Sequence, residues 1–147
     1  MENKAYQQTF SNPIQSRSNN QIIMLLTFSK QQFVDRILSG DKIHTIREDK
    51  TNRWKAGTKI HFWKGNPRNV KNNPYQFATG TVRDTLTIQI LPNENKIHFP
   101  ILGTTIKSLD NLNRIAKSDG FDNWEEMKNW FNTDFRGKLI FFENVKP

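Results

Sequence analysis

Apolar positions along the chain switch between a period of two and a period near 3.6, and the switches mark its elements. Residues 22–28 form a short branched and aromatic run that predicts a buried strand ending at Ser29. Ser29 with Gln32 has the form of a capping box, and Phe33, Val34 and Ile37 recur at helical spacing up to Gly40, a natural C-terminal stop. After the turn Ser39-Gly40-Asp41 comes an extended segment, Lys42-Ile43-His44-Thr45-Ile46-Arg47, then a charged loop to Gly57. Residues 58–63 set Ile60 and Phe62 against Lys59, His61 and Trp63, the alternation of a half-buried strand.

Asn, Gly and Pro make residues 64–75 a surface loop, after which residues 77–90 alternate again as one long strand or two with a bulge near Asp84. A turn at residues 92–95 leads to a strand over 97–102. Two helices follow, one with Leu109, Leu112, Ile115 and Ala116 behind Ser108, the other with Trp124, Met127, Trp130 and Phe131 as its buried stripe behind Asn123. Gly120 separates them, and residues 137–145 close the chain as a strand. The order β-α-β-β-β-α-α-β predicts an α+β fold with a mostly antiparallel sheet, arranged as a small barrel.

Length and composition bound this picture. At 147 residues the chain suits one domain, and 11 Phe with 4 Trp supply a core although only 35% of residues are hydrophobic. Residues 1–23, rich in Gln, Asn and Ser, read as a disordered polar tail, leaving 24–147 as the domain. With no cysteine, disulfide scaffolds, thiolate metal sites and cysteine nucleophiles are excluded. The three histidines are too dispersed to predict a metal centre, and no cofactor is expected. No apolar stretch is long enough for a membrane span and no export signal is visible, so a cytoplasmic protein is expected.

The net charge of +8 is unevenly placed. Residues 24–80 hold eleven cations against four carboxylates, while residues 81–147 are balanced. A local excess of this kind points to a polyanionic partner, nucleic acid before anionic lipid. Arg53, Trp54, Lys59, His61, Trp63 and Arg68 combine cations for phosphates with rings for unpaired bases. The alternative reading is a solvated strand face, with Trp54 and Trp63 in the core and His44 and His61 on the surface.

The same segment carries the densest chemistry. In an extended chain His44 shares a face with Lys42, and Thr45 with Arg47, so a bend is needed to bring Lys42 onto Thr45. Brought together, a partly desolvated Lys is a base for a Thr hydroxyl, and the Arg fork orients a carbonyl or phosphate. The alternative is a strand edge with ordinary solvated charges.

Gly40-x-Lys42-x-x-Thr45-x-Arg47 resembles the signature of ASCH domains, members of the PUA-like β-barrel superfamily. Phe28, the Phe33 helix, Trp54-x-x-Gly57, Asp119-Gly120-Phe121 and the closing strand extend the likeness over residues 24–147 in the family's order. The resemblance implies a mostly antiparallel PUA-like barrel with flanking helices and a cleft beside the first helix, with a role in RNA metabolism or regulation. Some small members are amidohydrolases that deacetylate acetylcytidine with a Lys, a Thr and a Glu, and others are linked to RNA binding or ribonuclease activity. Carried over, the Lys falls on Lys42 and the Thr on Thr45, while the Glu falls nearest Asp119, one methylene shorter. The expected partner is RNA or a modified nucleoside, held around Arg47, His44 and the basic stretch. An amidohydrolase, or a ribonuclease, is the second expectation and a protein-interaction module the third. Loop 64–75 is expected to lid the cleft or contact a partner.

Overall fold

The alternation of the first apolar run becomes strand β1 (Ile23–Phe28), with Met24, Leu26 and Phe28 in the core. In the computed structural model, which describes residues 22–147, it is followed by α1 (Gln31–Ser39), β2 (His44–Arg47), β3 (Lys59–Lys64), β4 (Tyr75–Leu91), β5 (Lys96–Phe99), β6 (Thr104–Ile106), α2 (Leu109–Ser118), α3 (Trp124–Phe131) and β7 (Phe135–Lys146). The expected tail over 1–23 lies almost wholly outside the described residues.

The architecture is α+β, with seven strands in one mixed, largely antiparallel sheet and three α-helices among the described residues. Its spine is β4, which pairs β3 through its first half, β5 at its end and β7 along most of its length. The 17-residue strand is continuous, and its ladder to β7 shifts register between Val82 and Asp84, where the sequence places a bulge. β1 adds to β3 in parallel, because α1 and β2 intervene, and β2 adds to β7.

The expected barrel does not close. Among the described residues β1 pairs only β3 and β2 pairs only β7, so the two strands share no ladder. One side chain spans the seam: Arg47 Nη2 donates to the Thr27 carbonyl at 2.9 Å, with its guanidinium 4.8 Å from the centroid of the Phe28 ring.

Two local expectations are also corrected. Gln32 does not cap α1, whose Ncap is Lys30 with no side-chain hydrogen bond. It reaches instead to the Gly120 carbonyl at 3.1 Å and to Glu126, because a tertiary acceptor is in range on the facing turn. The strand expected over 97–102 ends at Phe99, since Pro100 offers no N–H to a ladder, and the chain turns back through Gly103 into β6. At the helix ends, Gly40 closes α1 at φ +87°, and Ser108 and Asn123 cap α2 and α3 through Asn111 and Glu126.

The loop after β2 is organised by Asp49. Its carboxylate accepts from the backbone N–H groups of Arg53 (2.7 Å) and Trp54 (3.0 Å) and pairs with Lys138 of β7 at 3.3 Å. Burial pushes this carboxyl up, but the two N–H groups and the Lys138 ammonium outweigh it, so its pKa lies below the ordinary value. A depressed folded-state pKa adds stability above the unfolded carboxyl's value and loses it as pH falls through the folded one. Asp49→Ala is therefore expected to cost about 1–3 kcal/mol near neutral pH, a gap that narrows below about pH 4. Urea unfolding of both proteins at several pH values measures it, and a pH-independent gap would contradict the assignment.

Candidate functional site

The motif segment is pinned at its start before any side chain is considered. Lys42 N–H donates to the Arg36 carbonyl at 2.8 Å, Ile43 N–H to Ser118 at 2.9 Å, and Phe142 N–H to Ile43 at 3.1 Å. Across from it, the turn after α2 is tied to α1, for Arg36 Nη1 donates to the Gly120 carbonyl at 2.7 Å and Arg36 Nη2 to Asp122 at 2.7 Å. These bonds hold Lys42 and Asp119, 77 residues apart in the chain, side by side.

Lys42 is buried, only 3% exposed. Its Nζ donates to the His44 carbonyl at 2.8 Å and to the Asp119 carbonyl, with Asp119 Oδ1 3.6 Å away. The rings of Phe33 and Phe28 lie 5.1 and 5.6 Å from the amine. Burial pulls its pKa down to about 8; Asp119 opposes the shift and Arg47 adds to it. Burial lowers Arg47 from its usual value too, again with Asp119 in opposition.

His44 is the side chain that sequence reasoning misplaced. It was expected at the surface, yet it is buried, with its ring 5.2 Å from that of Phe141 and Nδ1 2.8 Å from Asp119 Oδ1. A carboxylate only accepts, so Nδ1 carries the proton in this bond. The signal was present in the period of two that puts His44 on the face of Lys42, but nothing in the sequence says that this face is covered.

The cleft opens at the unclosed seam and encloses about 590 Å³, a volume suited to a small ligand. Lys42, Thr45, Arg47 and Asp119 line it, with Phe28, Phe33, Phe121 and Trp130 among its aromatic walls. Thr45 is buried, and the hydrogen bonds of the Lys42 amine go to the His44 and Asp119 carbonyls rather than to its hydroxyl. Trp130, expected in the buried stripe of its helix, is 45% exposed and stands edge-on to Phe33 at 5.5 Å and Phe121 at 5.9 Å. Helix α3 buries Trp124 and Met127, and Phe131 at its end is partly buried against the core.

The basic stretch divides. Trp54 is a core residue, 6% exposed. Arg53 sits on the flank of β1, with Nη2 3.3 Å from the Met24 sulfur. Lys59, His61 and Trp63 lie on the face of β3 opposite the buried Ile60 and Phe62, and Arg68 is exposed on the loop after it. None of these four lines the cleft, nor does loop 64–75, so the expected lid is not in place. Among the described residues no group of His, Asp and Glu is arranged to hold a metal ion, and no helix is long and apolar enough to cross a membrane.

No family model, no curated protein and no solved structure matches the chain. The reading of the cleft therefore rests on its own geometry and on the motif.

Gly120 sets that geometry. At φ +95°, a Cβ there would stand 2.6 Å from Lys42 Cδ and 3.0 Å from Phe33 Cδ1, so the missing side chain is the space the Lys42 stem fills. Gly120→Ala is expected to lower stability by about 1–3 kcal/mol, from backbone strain and displaced Lys42 together. Thermal unfolding checks this, and a variant melting with the wild type would show that the contact yields without cost.

Proposed function

We propose that the chain is a PUA-like ASCH domain that recognises RNA or a modified nucleoside in the cleft at Lys42, Thr45 and Arg47, with a role in RNA metabolism or regulation. The observation that carries the reading is a cleft of about 590 Å³ with aromatic walls, a buried amine (Lys42) and a half-buried guanidinium (Arg47). Aromatic faces take an unpaired base by stacking, worth about 1–3 kcal/mol per base, and a guanidinium fork takes a phosphate or carbonyl oxygen. The exposed cations outside the cleft, Lys59 and Arg68 among them, supply attraction for a phosphate backbone without selecting a base.

Binding to single-stranded RNA is expected to weaken steeply with salt, and Lys42→Ala or Arg47→Ala to weaken it about tenfold or more. Fluorescence anisotropy at several ionic strengths measures both. Absence of binding at low salt removes the RNA reading, and titration with free modified nucleosides then tests the remaining one.

A second reading, an amidohydrolase acting on acetylcytidine, is favoured by one observation, the cleft-lining Lys42 whose pKa near 8 leaves a sizeable free-amine fraction in mildly alkaline solution. In it the free amine, directly or through one water, takes the proton of the Thr45 hydroxyl as that oxygen attacks the acetyl carbonyl. The amide C–N bond then breaks and Lys42 returns the proton to the departing exocyclic nitrogen of cytidine. Water next attacks the acetyl ester on Thr45 and gives a proton to Lys42, which passes it to the Thr45 oxygen as the bond between that oxygen and the acyl carbon breaks, and acetic acid leaves and ionises to acetate. Asp119 polarises the amide or the attacking water. Turnover is expected to rise with pH, reaching half its maximum near pH 8 and levelling off above it, and to vanish in Thr45→Ala. Chromatography of cytidine release decides it: no product from the wild type, or unchanged turnover in Thr45→Ala, sinks this reading, and cleavage of RNA without acetate would mark a ribonuclease.

A further inference from the structure

The carboxylate of Asp119 faces two donors through one atom. His44 Nδ1 lies 2.8 Å from Oδ1, while Lys42 Nζ lies 3.6 Å from the same oxygen, beyond hydrogen-bond length. The amine spends its close contacts on backbone carbonyls, those of His44 and Asp119, which carry no formal charge. In a site this buried an ammonium and a carboxylate gain strongly from closing to contact. That they stand apart needs a cause, and the bond from the imidazole supplies one.

We propose that His44 is a positioning residue that holds the Asp119 carboxylate away from Lys42 and thereby keeps the amine available as a base or a neutral hydrogen-bonding group. The charged and titratable groups around the amine agree with this. Asp119 approaches from the end of α2, and His44 and Arg47 from β2. Glu48 lines the same cleft, and Arg36 on α1 is turned away to Gly120 and Asp122. From β1 and α1 only the rings of Phe28 and Phe33 face the amine. Asp119 is thus the nearest negatively charged group to the amine, and His44 controls where its Oδ1 goes. The inference rests on reading the cleft around Lys42 as the site but not on what the site binds.

The test is the pKa of Lys42 in the free protein, followed by NMR of its labelled side-chain amine. In His44→Leu, Oδ1 loses its imidazole partner and closes on the amine, raising the Lys42 pKa by about one unit. In His44→Asn the amide N–H replaces Nδ1–H and restores the wild-type value. In an Asp119→Asn background, His44→Leu leaves the Lys42 pKa where the single Asp119→Asn variant sets it, because the effect runs through the carboxylate. A Lys42 pKa unmoved or lowered in folded His44→Leu overturns the proposal, and so does a rise that persists in the Asp119→Asn background. Should His44→Leu not fold, the wild type decides, since the His44 ring must carry its proton on Nδ1 over the pH range in which Lys42 titrates. A neutral ring protonated on Nε2 alone overturns it. No nucleoside or RNA enters the measurement, so its failure and a failure to bind RNA are separate results.

Discussion

The interaction on which the rest of the structure depends is the burial of the Lys42 side chain. An ammonium withdrawn from water without partners would cost on the order of several kcal/mol, so the fold has to bring acceptors to it. It brings the carbonyls of His44 and Asp119, one at the start of β2 and one at the end of α2. Delivering both fixes the approach of two elements far apart in sequence, and Gly120 leaves the room the methylene stem needs. The tie of Arg36 to the Gly120 carbonyl then locks α1 over the same point. The position of three elements follows from housing one cation.

Much of this was legible in the sequence, and the exceptions share a cause. The helices at Phe33, Leu112 and Trp124 and the bulge near Asp84 follow from local periodicity and turn signals, because each is decided within a few residues. What was misread is decided by tertiary neighbours. Gln32 looks like a cap until a carbonyl from residue 120 comes within reach. His44 looks like a surface side chain until Asp119 is opposite it. Trp130 belongs to an apolar stripe, but it stands edge-on to Phe33 and Phe121 in the cleft wall. Barrel closure was unreadable for the same reason, since no local pattern reports whether β1 and β2 meet.

The unclosed seam and the site are one feature. A ladder between β1 and β2 would fill the gap with backbone and leave no cleft; the gap exists because, among the described residues, the two strands pair only with β3 and β7. Arg47 spans the seam by a side chain, which holds the strands together while leaving space between them. Its guanidinium is thereby fixed at the cleft wall, with Phe28 beneath it. The motif arginine thus has a structural duty at the seam.

Stability alone does not account for the Lys42, His44 and Asp119 cluster. Buried ion pairs replaced by apolar residues of similar size are often neutral or more stable, so a fold selected for stability would gain little from placing an amine, an imidazole and a carboxylate together in its wall. The same outlay makes sense where an amine with lowered proton affinity is useful, in a cleft lined by rings. The sheet's outer face, with its exposed cations, needs no such arrangement, because solvated charges attract a polyanion at little cost to the fold. That contrast separates the two halves of the positive segment: the exposed charges suit attraction, and the buried ones suit discrimination or chemistry at a single position.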